Sequence, residues 1–275
     1  MKTITYPGGS HAVLALHGLL GNPLEMQYVG KKLQRAGYSV VIPLIEGYGY
    51  TSGQADFRTS NFERWYEEVL KQFDMLKKTH DSVSVVGLCI GAVLALRLAI
   101  DRSEDIAAIS VLSTTLFYDG WSLPKYAFLL PLAYYTPARF LYSYQERYPF
   151  GLKNKNLRTW IEREMKVKNS SAAGASQLSA EGIFQAHRLI KQVKRQLQQV
   201  QCPCLIIHAE EDDVASTRSA DLVEQKISSQ FRKKIILQDS YHIITLDNEK
   251  EQVAAEVIDF FQTHMAERAA QLKSA

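Results

Sequence analysis

The sequence predicts a doubly wound α/β fold, in which a mostly parallel sheet is covered by helices on both faces. Short apolar runs recur along the chain, most without polar–apolar alternation, as expected of strands buried on both faces. Amphipathic helical patterns separate these runs. The alternation breaks between residues 115 and 200, which predicts an inserted, mainly helical lid.

Six segments have the composition of buried strands. The first lies near the N-terminus, where a single lysine and the lack of a cleavage pattern favour a strand over a signal peptide. The predicted strands are residues 12–17, 39–43, 83–87, 106–113, 204–209 and 234–238.

Helical patterns lie between the predicted strands. Asn22 and Pro23 offer an N-cap and a proline at the first helical position. Residues 62–77 place Trp65 and Val69 on one apolar face, and residues 249–268 form a last helix. We therefore expect each predicted strand to be followed by a helix that covers the sheet.

Residues 115–200 differ in composition from the rest of the chain. They hold thirteen Lys or Arg and five Asp or Glu, a net charge of +8, whereas the remainder carries −5. The segment is aromatic at first, then basic, then helical over residues 183–197. Because such a shift is typical of an insertion, we predict a core of residues 1–114 and 201–275 and a lid of residues 115–200.

The composition of the 275 residues limits the possible classes of protein. The length allows one large core, and the longest apolar runs fall short of the roughly 20 residues that a membrane-spanning helix needs. Three cysteines, an odd number, argue against a disulfide framework and for a reducing cytoplasm. A nucleic-acid partner is disfavoured because the aromatic and basic residues are not interleaved.

The segment Gly87-Leu88-Cys89-Ile90-Gly91 lies where a strand pattern changes into a helix pattern. Flanking glycines allow the neighbouring backbone to approach a nucleophile held in a strained turn above the sheet edge. The following helix would turn its positive end toward the thiol and favour the thiolate. A buried small hydrophobic residue is the alternative for this cysteine. The strand before Cys89 and the helix after it favour the nucleophile.

Gly87-x-Cys89-x-Gly91 and three further motifs resemble those of the α/β-hydrolase family. The resemblance extends over nearly the whole chain. The three further motifs are LALHGLLGNP at residues 14–23, IIHAEEDDVAS at residues 206–216 and QDSYHIITLDNE at residues 238–249. The resemblance is strongest to bacterial carboxylesterases and monoacylglycerol lipases and weakest in the lid. The order of nucleophile, acid and histidine is the one that this fold uses.

The resemblance implies a role for each motif. Cys89 would be the nucleophile and His242 its base, while Asp212 would fix the tautomer of the histidine and stabilise its positive charge. The backbone N–H groups of Leu19 and Ile90 would form the oxyanion hole. A carboxylic ester or thioester would then be hydrolysed through an acyl-cysteine intermediate, with no metal and no cofactor.

The sequence departs from the family pattern at three places. Cysteine stands where serine is usual, and its thioester intermediate leaves thioesterase and acyltransferase chemistry open. Gly47-Tyr48-Gly49 replaces the usual Gly-His-Gly. Asp213 follows Asp212, and the usual register of this motif favours Asp212 as the acid. The alternatives are therefore an acyltransferase that uses a carrier thioester and a non-water acceptor, and a non-catalytic ligand-binding relative, which the presence of His242 and Asp212 disfavours.

The predicted lid offers two kinds of candidate contact. Its aromatic part forms either the lid core or the wall of an acyl pocket, for which Tyr135 and Phe140 are candidates. A basic cluster would by default be a solvated face, and the alternative is docking of an acidic acyl-carrier protein or an anionic lipid surface. The cluster consists of Lys153, Lys155, Arg158, Arg163, Lys166, Lys168, Arg188, Lys191, Lys194 and Arg195.

Four other cysteine and histidine residues are of types that often bind metals or take part in catalysis. Cys202, Cys204 and His208 fall on one face of a predicted strand, and a zinc site there would need a fourth ligand. We therefore expect strand packing for these three. His17 is expected to support its loop.

Overall fold

A seven-stranded sheet forms the centre of the computed structural model. The model describes residues 2–45, 47–48, 61–123, 136, 143–145, 148–168, 170–171, 174–175 and 177–274. The sheet order is β1-β3-β2-β4-β5-β10-β11, in which only the edge strand β1 runs antiparallel to its neighbour. These strands are β1 (Ile4–Tyr6), β2 (His11–Leu16), β3 (Ser39–Ile42), β4 (Ser82–Leu88), β5 (Ile106–Leu112), β10 (Cys204–Ala209) and β11 (Arg232–Leu237).

Helices cover both faces of this sheet. The Asn22 side chain accepts a hydrogen bond from the Leu24 N–H and begins a 3-10 turn, Pro23–Met26, that leads into the first α-helix. The α-helices of the described residues are α1 (Gln27–Arg35), α2 (Phe62–Thr79), α3 (Ile90–Arg102), α4 (Lys155–Lys168), α5 (Ala180–Gln196), α6 (Arg218–Lys226) and α7 (Lys250–Ser274). No helix in these described ranges combines the length and apolar character needed to cross a membrane.

Two apolar clusters form the core, one on each face. On one face, α2 contributes Trp65 and Val69, and α3 is buried along most of its length. On the other face, α1 contributes Val29 and α7 contributes Val257. This arrangement confirms the predicted doubly wound, mostly parallel fold, and each of the six predicted strands matches an observed strand to within two residues.

The region between β5 and β10 combines helices with short strands. Strand β6 (Ser143–Gln145) pairs with β9 (Gln177–Ser179), and β7 (Ser170–Ser171) pairs with β8 (Gly174–Ala175), both antiparallel. Helix α5 buries Leu189 and Val193 in the same cluster as α3. The lid boundaries stay a prediction, and the pocket candidates Tyr135 and Phe140 lie outside the described residues.

Three residues with left-handed backbone conformations follow neighbouring strands of the sheet. Leu20 (φ 56°) lies beyond β2, Cys89 (φ 59°) directly follows β4, and Ser113 (φ 44°) directly follows β5. Such conformations are costly for residues with a side chain and persist only where the surrounding structure imposes them. Their common position at the carboxyl edge of parallel strands marks the place where ligand sites occur in this class of sheet.

Candidate active site

Cys89 occupies the sharp turn between β4 and α3. Its φ of 59° and ψ of −119° place the thiol ahead of the first turn of α3, and its side chain is half-buried. A Cβ on Gly91 would lie 2.5 Å from the carbonyl oxygens of both Leu16 and His17. A Cβ on Gly87 would lie 2.3 Å from the carbonyl oxygen of Gly91. Only glycine fits at either position, because real Cβ atoms do not approach backbone oxygen so closely.

His242 and Asp212 form a buried hydrogen-bonded pair. The Nδ1–H of His242 donates to Oδ2 of Asp212 at 2.8 Å and to Oδ1 at 2.9 Å. The N–H groups of Val214 and Ala215 also donate to Oδ1 of Asp212, each at 2.9 Å. Burial opposes ionisation of this carboxyl, but His242 and these other contacts outweigh it and lower the pKa of Asp212. The carboxylate is therefore fixed in position and charged.

Asp213 binds the backbone rather than the ring of His242. Its Oδ1 accepts the main-chain N–H of His242 at 3.3 Å, and its Oδ2 accepts the N–H of Gly151 at 3.3 Å. Burial raises the pKa of Asp213 to about 6. Of the two adjacent acids, Asp212 therefore contacts the imidazole, and Asp213 links the histidine loop to the turn before α4.

Cys89 and His242 stabilise each other's charged form. Burial opposes ionisation of the thiol, but the charge of His242, with smaller contributions from Thr115 and the Ile90 N–H, lowers the pKa of Cys89. Burial likewise opposes protonation of the imidazole, but Asp212 and Cys89 raise the pKa of His242 well above its usual range. Each of the two groups therefore favours the charged form of the other.

The second ring nitrogen of His242 is available for chemistry. The Nε2 atom is buried, and it has no hydrogen-bond partner in the described part of the chain. It lies close enough to Sγ for each group to shift the pKa of the other, although no hydrogen bond of standard geometry joins them. A substrate atom could therefore share the proton on this nitrogen.

The loop after β2 brings a backbone amide next to Cys89. A Cβ on Gly18 would lie 3.4 Å from the Cβ of Cys89. The Gly18 N–H donates to the buried carboxylate of Glu25 at 2.9 Å, and the Leu20 N–H donates to the Tyr48 carbonyl at 2.9 Å. Between these two amides, the Leu19 N–H has no acceptor among the described residues. Of the three consecutive amides, Leu19 offers the one that is free to bind a substrate oxygen.

Tyr48 and Glu25 hold this loop in place. The Tyr48 hydroxyl donates to the His17 carbonyl at 2.6 Å, and its buried ring packs against His17 and Trp65. Glu25 is 3% exposed, and a Cβ on Gly21 would lie 2.2 Å from its Oε1 atom. The tyrosine of Gly47-Tyr48-Gly49 therefore supports the loop through its hydroxyl.

Two polar side chains that the sequence analysis did not assign to the site contact its members. The Thr115 hydroxyl lies 3.4 Å from Sγ of Cys89. His208, predicted as strand packing, donates from Nε2 to the Ala215 carbonyl at 2.7 Å and lies 3.4 Å from Oδ2 of Asp212. Burial lowers the pKa of His208, so it is a neutral donor in this position. Both residues lie at or just beyond the carboxyl end of a strand. The predicted strand ends are therefore the sequence signal that could have pointed to them.

Three other residues considered from the sequence, Cys202, Cys204 and Arg158, are buried and make contacts outside this group. Cys202 and Cys204 are buried free thiols, and burial raises the pKa of Cys204 well above its usual range. Arg158, which was assigned to a solvated basic face, is 9% exposed and stacks over Tyr148 with its Cζ atom 4.3 Å from the ring centroid. The prediction of a solvated face is wrong for Arg158, because its guanidinium stacks on the Tyr148 ring and donates a hydrogen bond to the Leu152 carbonyl.

Known proteins are similar to this chain over nearly its whole length. A thermostable monoacylglycerol lipase from Bacillus sp. strain H-257 is 28% identical over 93% of this chain and 92% of its own. A carboxylesterase from Bacillus subtilis strain 168 is 24% identical over 95% of this chain and 96% of its own. A solved structure from a study of the metagenome-derived lipolytic enzymes LipS and LipT has a TM-score of 0.80 at 24% identity, covering 96% of this chain and 98% of that one.

The family assignment follows from a match that spans most of the molecule. Residues 9–251 match the Hydrolase_4 family, described as serine aminopeptidase, S33. The matched range contains Cys89, Asp212 and His242 together with the whole central sheet apart from β1. The chain belongs to this family of α/β hydrolases, as its motifs predict.

Proposed function

We propose that this protein is an ester hydrolase that cleaves a carboxylic ester or thioester through an acyl intermediate on Cys89. The observation that carries the proposal is the buried array in which Asp212 holds His242 while His242 and Cys89 stabilise each other as an ion pair. A thiolate at a positive helix end is a ready nucleophile. The similarity to a monoacylglycerol lipase and a carboxylesterase supports an ester substrate.

The first half of the proposed reaction transfers the acyl group to sulfur. The thiolate of Cys89 attacks the carbonyl carbon, and the carbonyl π electrons move to the oxygen. The N–H groups of Leu19 and Ile90 stabilise this oxyanion, a contribution worth about 3–4 kcal/mol for one such donor. When the oxyanion collapses, the bond to the leaving group breaks, and the leaving group takes the proton from Nε2 of His242.

The second half returns the acyl group to water. Neutral His242 accepts a proton from a water molecule, whose oxygen attacks the thioester carbon. The same two N–H groups stabilise the second oxyanion. Its collapse releases the carboxylic acid and restores the thiolate of Cys89 beside the imidazolium of His242. Asp212 stays ionised throughout and stabilises the protonated ring.

Mass spectrometry of the trapped intermediate tests this proposal. Brief incubation with p-nitrophenyl butyrate should add one butyryl group to the peptide that contains Cys89. The buried Cys202 and Cys204 serve as internal controls and should stay unmodified. Cys89→Ala should abolish both the adduct and turnover, whereas Cys202→Ala should preserve both. An unmodified Cys89 peptide with a panel of short and medium acyl esters and thioesters would rule the proposal out.

The thiol nucleophile favours a second candidate, transfer of the acyl group to an acceptor other than water. An acyl-cysteine is a thioester, which reacts readily with amines and alcohols, so a carrier thioester could serve as donor. Partition experiments separate the two functions: glycerol or a simple amine is added at increasing concentration during butyrate ester turnover. A hydrolase releases mainly butyrate, whereas an acyltransferase releases mainly the new ester or amide.

We propose in addition that residues 115–200 cap the site and that Tyr135 and Phe140 contribute to its acyl pocket. The aromatic composition of this segment supports the proposal. Three free cysteines, one of them with a pKa that its surroundings lower, support a reducing, cytoplasmic compartment. Substituting Tyr135 or Phe140 by Ala should change the ratio of turnover between short and medium acyl chains, and an unchanged ratio would contradict the pocket assignment.

A further inference from the structure

Two cationic side chains from different helices converge on one aromatic ring. The Nζ atom of Lys194, in α5, lies 3.6 Å from the centroid of the Phe117 ring. The Cζ atom of Arg218, the first residue of α6, lies 4.0 Å from the same centroid. The two positive charges are therefore held close together by a shared partner.

Within the described part of the chain, these cations have no carboxylate partner. Neither Lys194 nor Arg218 forms an ion pair within 4 Å with an acidic side chain of the described ranges. Asp119 acts on Lys194 from a distance, but its two oxygens accept hydrogen bonds from the N–H and hydroxyl of Ser216 at 2.8 and 2.9 Å. Burial and the charge of Arg218 lower the pKa of Lys194. An anion bound near both cations would relieve the repulsion between them.

The segment that carries Phe117 follows directly from a residue in contact with the reactive thiol. Thr115, whose hydroxyl is 3.4 Å from Sγ of Cys89, precedes Phe117 by two residues. Two residues of chain span at most about 7 Å, so the Cα atom of Phe117 lies within about 7 Å of that of Thr115. Ser219 fixes this segment, because its Oγ accepts the N–H groups of Leu116 and Phe117, each at 3.2 Å. Phe117 and Cys89 also pack against the same apolar cluster.

We propose that Lys194 and Arg218 form a subsite that binds an anionic group, a carboxylate or a phosphate, on the substrate. The guanidinium of Arg218 offers the forked donor geometry that suits both anions, and the ammonium of Lys194 adds a second charge. The preferred substrates are then esters that carry an acidic group in addition to the scissile ester. This inference rests on the proposed ester hydrolase function and assigns its substrate class.

Matched pairs of esters test the subsite and separate its two possible ligands. Mono-p-nitrophenyl adipate against p-nitrophenyl hexanoate tests a carboxylate on the acyl side. Butyrylglycerol 3-phosphate against butyrylglycerol tests a phosphate on the alcohol side. Lys194→Met and Arg218→Gln should each lower kcat/KM for the anionic member of at least one pair about five- to tenfold. The neutral members should change less than twofold, and Lys191→Met, an exposed control on the same helix, should affect neither.

Alkylation provides a readout that does not depend on turnover. Adipate or glycerol 3-phosphate should slow the reaction of iodoacetamide with Cys89 in the unaltered protein and should lose this effect in Lys194→Met and Arg218→Gln. If neither anion protects Cys89, or if protection survives both substitutions, the subsite is refuted even where neutral esters are hydrolysed. If anions protect as expected but no ester forms an adduct on Cys89, the subsite stands and the hydrolase function fails.

Discussion

The Nδ1 atom of His242 lies 2.8 Å from Oδ2 of Asp212, and this contact fixes which ring nitrogen is left for Cys89. A protonated Nδ1 bonded to a buried carboxylate favours a second proton on Nε2, because the two negative groups on either side of the ring stabilise the imidazolium. The predictions that follow test this electrostatic arrangement and the backbone that supports it.

The pH dependence of alkylation should report the lowered pKa of Cys89. Thiolate forms as pH rises through the pKa of the thiol, so a lowered pKa moves the midpoint of iodoacetamide reactivity below the reference value of 9.0 for a cysteine thiol. His242→Asn should move the midpoint to higher pH, since burial then acts without the opposing positive charge. Quantifying the alkylated Cys89 peptide between pH 4 and 10 provides the measurement. Coincident profiles for the two proteins would contradict the ion pair.

Replacing Cys89 by Ser should lower the pKa of His242. The thiolate contributes to the raised pKa of the imidazole, whereas a neutral hydroxyl does not. Part of the elevation should remain, because Asp212 is still hydrogen-bonded to Nδ1. Titration of the imidazole proton resonances by NMR measures the shift. Cys202→Ser, a change at a buried thiol outside the site, should leave the His242 titration unaltered.

Removing the carboxylate of Glu25 should slow acyl transfer without slowing alkylation. Glu25 accepts the Gly18 N–H and thereby orients the next amide, that of Leu19. Glu25→Ala should lower kcat for ester turnover at least tenfold, whereas Glu25→Gln keeps an acceptor oxygen and should retain most activity. Iodoacetamide forms no oxyanion, so its rate with Cys89 should be the same in all three proteins. Equal losses in both assays would indicate a general structural defect instead.

An alanine at position 91 should destabilise the fold. Its Cβ would meet the carbonyl oxygens of Leu16 and His17 at 2.5 Å, and two backbone atoms cannot both withdraw without moving β2. We expect a loss of about 2–4 kcal/mol in the free energy of unfolding by urea. Gly30→Ala in α1 is the matched control, because its Cβ would meet only the flexible end of Ile42 at 2.9 Å. A loss at position 91 no larger than at position 30 would contradict the steric argument.

Asp213 should make stability fall as pH rises through weakly acidic values. Its pKa is about 6 in the fold and 3.8 as the reference value, so between these values the folded chain keeps a proton that the unfolded chain has lost. The group therefore costs stability progressively from pH 4 to 6, up to about 3 kcal/mol for a shift of this size. Asp213→Asn removes this dependence. The difference in unfolding free energy between the two proteins should change by this amount over that range, and a constant difference would refute the raised pKa.

The sequence shows the sheet well because its central strands are continuous apolar runs. The strand predicted over residues 204–209 matches β10, whereas the edge strand β1 was missed because it is short and half-exposed. Helix α6 was also missed, since it is short and mostly polar.

The site is only partly readable from local patterns. Cys89, Asp212 and His242 lie in recognisable motifs, so each could be named from its neighbours in the chain. The roles of Glu25 and Asp213 depend on contacts with backbone amides at Gly18 and His242, which no spacing along the chain reveals. The same holds for Lys194, whose partners come from two other parts of the chain.

The main chain at Cys89 sets the position of the reactive atom. The strained φ of this residue and the clearance at Gly87 and Gly91 are set by main-chain atoms, and the Thr115 hydroxyl can bond to sulfur or to oxygen alike. The same backbone can therefore position either a sulfur or an oxygen atom as the nucleophile. A single nucleotide change converts a cysteine codon into a serine codon and would exchange one nucleophile for the other on an unaltered scaffold. Such a mutation would change the acyl intermediate from a thioester to an ester, and with it the lifetime of that intermediate.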